Sequence, residues 1–141
     1  MIRALIFFLA VLGSRQAQAS EGIKFAFVYI CKSATITEKT VNTCTLKFPE
    51  IAAHGASTLD AWRRRNAIDA QRGVELCDAE LHKQFSSEVQ IEEAKTQIEQ
   101  LEREYFEILD REIANRGVTA CNEFLTMIEH PESDLSWMLP K

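Results

Sequence analysis

The chain is 141 residues long, 46% hydrophobic and 26% charged, with a formal net charge of −5 at pH 7. That length is one domain's worth. The acidic balance excludes sequence-independent nucleic-acid binding, which needs a basic face, and argues equally against docking on anionic lipid.

Met1–Ala19 has the three parts of a secretory signal peptide. Arg3 supplies the positive start, Ala4 to Leu12 a short apolar run, and Ala17-Gln18-Ala19 a small-residue cleavage site. The expected mature domain spans residues 20–141, in the periplasm or secreted, and without Arg3 and Arg15 its net charge is −7. No membrane span is expected in it, because the first apolar run is about half of the ~20 residues a bilayer requires. The next run, Ile23 to Ile30, is shorter still, and polar residues between Ser14 and Gly22 keep the two apart. Residues 23–33 read as an extension of the helix that follows, as a separate short helix or, being rich in aromatic and β-branched side chains, as a strand. Thr35-Ile-Thr-Glu38 has the form of a capping box and predicts a helix over about 35–48, closed by Pro49. His54-Gly55-Ala56-Ser57 reads as a loop with Ser57 as an N-cap. The following helix extends to about Gln84 with an apolar stripe of Leu59, Trp62, Ala70, Val74, Cys77 and Leu81. Ser86-Ser87 with Gln90 marks the next cap.

From Glu88 the clearest periodicity begins. Ile91, Ala94, Ile98, Leu101, Tyr105 and Ile108 alternate steps of three and four, the seam of a coiled coil. The stripe then drifts to Leu109, Ile113, Ala120, Phe124 and Ile128 as ordinary helical period resumes. Gly117 predicts a cap or a close backbone approach, with a break, before a helix ending at Glu129 ahead of His130-Pro131. Ser133-Asp134 caps a last short turn carrying Leu135, Trp137 and Met138. The expected fold is all-α: an antiparallel helical bundle with a long coiled-coil-like hairpin.

Four cysteines follow the signal, and an oxidising compartment makes disulfides of them. If the helices on either side of Ser86 form a hairpin, Cys77 and Cys121 sit roughly 39 Å apart at ~1.5 Å per residue. A disulfide needs Cα atoms within about 7 Å, so that pair and its companion Cys31–Cys44 fall away. Folding the first helix back about Ala53 brings Cys31 level with about residue 75. This predicts Cys31–Cys77 with Cys44–Cys121. The latter fits imperfectly, and the rival set Cys31–Cys121 with Cys44–Cys77 misfits about twice as much. No C-x-x-C and no zinc-ligand spacing occurs, so neither redox catalysis nor a metal is implied, and no cofactor.

His54, His82 and His130 are scattered, without partners at ligand spacing. Between Glu88 and Glu112, nine acidic residues face Lys95, Arg103 and Arg111, a net of −6. Paired carboxylates can hydrolyse glycosides. Glu99 with Arg103 and Glu107 with Arg111, however, are i,i+4 pairs typical of a solvated helix face. Trp62-Arg63-Arg64-Arg65 is the one local anomaly. It reads as a core tryptophan whose arginines pair with the acidic helix, or as an aromatic–arginine interface anchor. Trp137 reads as a lid on the core or an exposed docking residue.

Cys44-Thr-Leu-Lys-Phe48-Pro49, Ala61-Trp62-Arg-Arg-Arg65-Asn66 and Cys121-Asn-Glu-Phe124-Leu125 together resemble small exported helical proteins of Gram-negative bacteria with a cysteine near each end. The resemblance implies an all-helical periplasmic domain, is compatible with a 44–121 bridge, and carries no activity. The expectation is a non-catalytic protein-binding module whose partner is another exported protein, as an inhibitor, an immunity-type protein or an envelope-complex subunit. Its partner-facing residues would be Trp62, Arg63, Arg64, Arg65 and Trp137. The alternatives are a small envelope hydrolase built from helix-borne carboxylates and self-association through the Ile91–Ile108 seam.

Overall fold

The computed structural model describes residues 15–140, with side-chain surroundings from Phe25 onward. Met1 to Ser14, most of the expected signal peptide, lie outside the described residues, as does Lys141. Helix α1 (Arg15–Lys47) leads through a 3-10 turn (Pro49–Ile51) into α2 (Ala52–Gln84). Helices α3 (Glu88–Arg116) and α4 (Val118–Glu129) follow, then two 3-10 turns, Pro131–Ser133 and Leu135–Trp137. The fold is all-α, with no strand among the described residues. Residues 23–33 are helical. With no second strand to pair with, their aromatic and β-branched side chains are placed by burial rather than by propensity.

Within α1 the backbone breaks at Lys32 (φ −131°, ψ 16°). The break falls before the expected capping box rather than at it. Thr35 and Glu38 are exposed, and Glu38 instead accepts from Arg63 Nη2 at 2.9 Å. The break bends the helix without reversing it. Thr40 meets the Tyr105 hydroxyl at 3.1 Å, while Phe25 stacks on the same tyrosine ring at 5.1 Å. An unbroken helix would hold Phe25 and Thr40 about 22 Å apart along its axis. Tyr29 likewise reaches Thr37 across the bend at 3.2 Å.

The expected loop at His54-Gly55-Ala56-Ser57 is helical and lies inside α2. Gly55 is used for packing: a Cβ there would collide with Thr45 of α1. Ser57 donates to the His54 carbonyl within the helix at 2.9 Å and caps nothing. The chain turns earlier, at Phe48, where Pro49 opens the 3-10 turn. At the next junction Ser87 caps α3, its hydroxyl accepting from the Gln90 N–H at 3.3 Å. Gly117, at φ 60° and ψ −143°, both ends α3 and begins α4, a conformation that only glycine adopts freely.

Both disulfides form, Cys31–Cys77 with Cα atoms 5.3 Å apart and Cys44–Cys121 with 5.6 Å. The misfit of the second vanishes because α4 turns back at Gly117 and carries Cys121 to α1. Each bridge sits in its own part of the core. Cys44–Cys121 is packed with Trp62, Leu109, Phe124, Leu125 and Leu135. Cys31–Cys77 is packed with Val28, Ile36, Leu81, Ile91 and Ile98. The α3 seam meets α1 more extensively than it meets α2. Ile91 and Ile98, two residues of the seam considered for self-association, are buried within the chain. Val74 departs from its expected stripe and stands 55% exposed.

Candidate interaction face

The C-terminal segment is held against α2 by a polar clamp. Asn66, fully buried, donates to the Trp62 carbonyl and to Asp134 Oδ1, both at 3.0 Å, and accepts from the Leu135 N–H at 2.8 Å. Arg65 Nε donates to both Asp134 oxygens, at 3.1 and 3.0 Å, and its Nη2 donates to the Ile128 carbonyl at 2.7 Å. Two turns further, Arg72 donates to the Pro140 carbonyl at 3.3 Å. Asp134 therefore acts through its side chain as a tether and not as the helix cap expected of it.

This clamp decides the fate of the expected anchor. Trp62 is 2% exposed and belongs to the core, so it is not a surface contact; its indole N–H finds no acceptor among the described residues. Arg65 is consumed by Asp134. Arg63 pairs with Glu38 at 2.9 Å and lies 3.7 Å from Asp60. None of these arginines meets the acidic residues of α3, whose inner face is turned to α1. Arg64 stays exposed and forms no ion pair among the described residues. Trp137 is 59% exposed beside the clamp, and Ile68, between Arg65 and Arg72 along α2, is 78% exposed. Helical spacing puts Arg64, Ile68 and Arg72 on neighbouring turns of one side. Ile68 was legible only as an apolar residue off the core stripe.

Next to this side, the break in α1 leaves a groove of about 280 Å³ against α2. Ala34, Ala67, Ala70 and Val74 give it apolar walls, and Lys32 and Ser33 lie at its α1 edge.

The residues considered for catalysis are dispersed. His54 hydrogen-bonds Glu129, which also accepts from Thr58 at 3.1 Å; the His54 contact first of all holds the Glu129 carboxyl below its ordinary value. Both groups are exposed. His82 bonds the Asp78 carbonyl of its own helix at 2.9 Å. The expected pairs Glu99–Arg103 and Glu107–Arg111 are replaced by Lys95–Glu92 and Arg116–Glu112. Glu102 is the buried carboxylate of α3, 4.0 Å from Lys32 and 3.9 Å from Lys39. Burial raises the Tyr29 phenol and pushes Tyr105 up to about 12, which keeps both neutral. Among the described residues no cluster of three His, Cys, Asp or Glu side chains could hold a metal, and no helix is long and apolar enough to cross a membrane.

Fold and face together define a disulfide-pinned all-helical protein with an apolar, arginine-edged side on α2. Comparison of the chain with protein-family models, with curated proteins and with solved structures gives no match.

Proposed function

We propose that the protein is an exported, non-catalytic binding module whose α2 side takes an apolar, carboxylate-bearing segment of another exported protein. The observation that carries this reading is Trp137. A large aromatic ring is held out in solvent by a segment that a buried polar clamp fixes in place. Exposed aromatics on rigid supports, with arginine at the edge, are what interface anchors are made of. Arg64 beside Ile68 supplies an uncommitted cation in a chain whose overall charge is negative. Export is supported by the signal-like residues 1–19, by the resemblance to exported helical proteins, and by two disulfides, which persist where thiols oxidise.

The test has two arms. Intact-mass analysis of the exported chain should find it beginning at Ser20. Cross-linking in periplasmic extract, with the oxidised protein as bait, should capture one partner whose yield falls about tenfold with Trp137→Ala or Ile68→Ser and is unchanged by Glu99→Gln. Failure to capture any partner at low and moderate salt, or capture indifferent to Trp137 and Ile68, refutes the binding reading.

A further inference from the structure

We propose that the groove at the break in α1 is an anion site that receives a carboxylate of the partner segment; this rests on the binding reading above and names the chemistry it uses. The helix restarts after Lys32, and a restarting helix offers first-turn N–H groups that lack partners of their own and carry partial positive charge. Ser33 provides the second observation. It is only 2% exposed, it lines the groove, and its hydroxyl makes no hydrogen bond among the described residues. Its oxygen is not sealed off from solvent, so the hydroxyl opens to the groove and is free to donate to a ligand there. Lys32 lies on the same edge. Its nearest carboxylate, Glu102, is 4.0 Å away and shared with Lys39 at 3.9 Å, which leaves the Lys32 ammonium only loosely engaged.

The other walls choose the ligand. Ala34, Ala67, Ala70 and Val74 offer methyl surface, while Thr35 adds a second hydroxyl and Gln71 an amide that already donates to Glu75. A volume of about 280 Å³ suits a side chain rather than a cofactor. One lysine, two hydroxyls and a helix start match a single negative charge; a phosphate dianion usually recruits arginine, and none lines the groove. A carboxylate on an apolar segment therefore fits both the edge and the walls.

The oxidised, ¹⁵N-labelled chain, titrated at pH 7 with sodium acetate, tests this directly. Sodium phosphate and sodium chloride at matched ionic strength serve as the comparison arms. Acetate should shift the amides of Ser33, Ala34 and Thr35 saturably, with no saturable response to chloride. Ser33→Ala and Lys32→Gln should each weaken acetate binding about threefold to tenfold, with thermal unfolding showing both to be folded. No saturable shift at these amides, saturation by phosphate but not acetate, or unchanged acetate binding in both variants overturns the site. Acetate binding that persists while no partner is captured rejects the binding reading and leaves the anion site standing. Capture that depends on Trp137, without acetate binding, does the reverse.

Discussion

Replacing Asn66 by alanine probes the clamp that sets the candidate face. The side chain is fully buried and makes three hydrogen bonds, to the Trp62 carbonyl, Asp134 Oδ1 and the Leu135 N–H. Each is worth about 1 kcal/mol net, but truncation also leaves the Leu135 N–H and part of Asp134 buried without partners, at about 1–3 kcal/mol each. Arg65 still grips Asp134 through two contacts, which limits the second loss. The expected destabilisation is about 3 kcal/mol, and for a chain of this size the melting temperature should fall by roughly 10 °C. Calorimetry on the oxidised protein measures it, and hydrogen exchange locates it, with the Leu135 amide losing protection first. Asn66→Asp keeps an acceptor for Leu135 but sets a second carboxylate against Asp134. It should be at least as damaging at pH 7 and recover in mild acid. A melting temperature within about 2 °C of the parent, with Leu135 still protected, would refute the idea that these bonds hold the segment.

Three further outcomes follow from the same geometry. Both tyrosines prefer the neutral form in the folded chain, so stability is full below about pH 10 and declines as pH rises toward about 12. Absorbance at 295 nm after a rapid pH jump should show less tyrosinate at pH 10 in the folded protein than in denaturant, with Tyr105 the last to ionise. Gly117→Ala meets open space but keeps φ at 60°, so it should cost about 1–3 kcal/mol through backbone strain alone in denaturant titration. Removing Cys44–Cys121 as a paired alanine variant should cost about 4 kcal/mol, because the bridge spans 77 residues of chain; removing Cys31–Cys77, across 46, should cost slightly less.

Helices α2, α3 and α4 and both disulfides were legible in the sequence because their signals are local or scale with helical rise. Ser87 with Gln90, and proline after His130, announce helix ends by chemistry that acts within a few residues. Gly55 misled because a glycine needed for close helix contact carries the same letter as one needed for a turn; only the position of Thr45 tells them apart. The capping box at Thr35 announced a helix boundary near the break but did not place it at Lys32. The break arises where Cys31 is tied to α2 and where Tyr29 and Phe25 find partners on Thr37 and Tyr105, contacts eight or more residues distant. The candidate face was half visible. Trp137 was identified as exposed or lid-like, whereas Trp62 was drawn inward and Arg65 committed to Asp134 by a tether that periodicity cannot express.

The groove and the first disulfide share a hinge, and Gly73 makes that testable. A Cβ at Gly73 would lie 2.6 Å from the Ile30 carbonyl oxygen, a backbone atom two residues before the break. That contact cannot be relieved by a rotamer change, so α1 must move away from α2 by a fraction of an ångström or more. Overpacking of this kind costs about 1–3 kcal/mol. Cys77 lies one turn further along α2 and ties Cys31, whose Cα is 5.3 Å away, so the bridge resists the separation that would relieve the clash. Gly73→Ala should therefore cost more with the bridge than in the Cys31→Ala, Cys77→Ala background, a coupling of about 1 kcal/mol in a double-mutant cycle. The parent pair should also differ in the groove, with Gly73→Ala shifting the amides of Lys32 to Thr35 only while the bridge is intact. Strict additivity of the two changes would mean that the bridge does not set the spacing of the break from α2, and that the groove's shape owes nothing to oxidation.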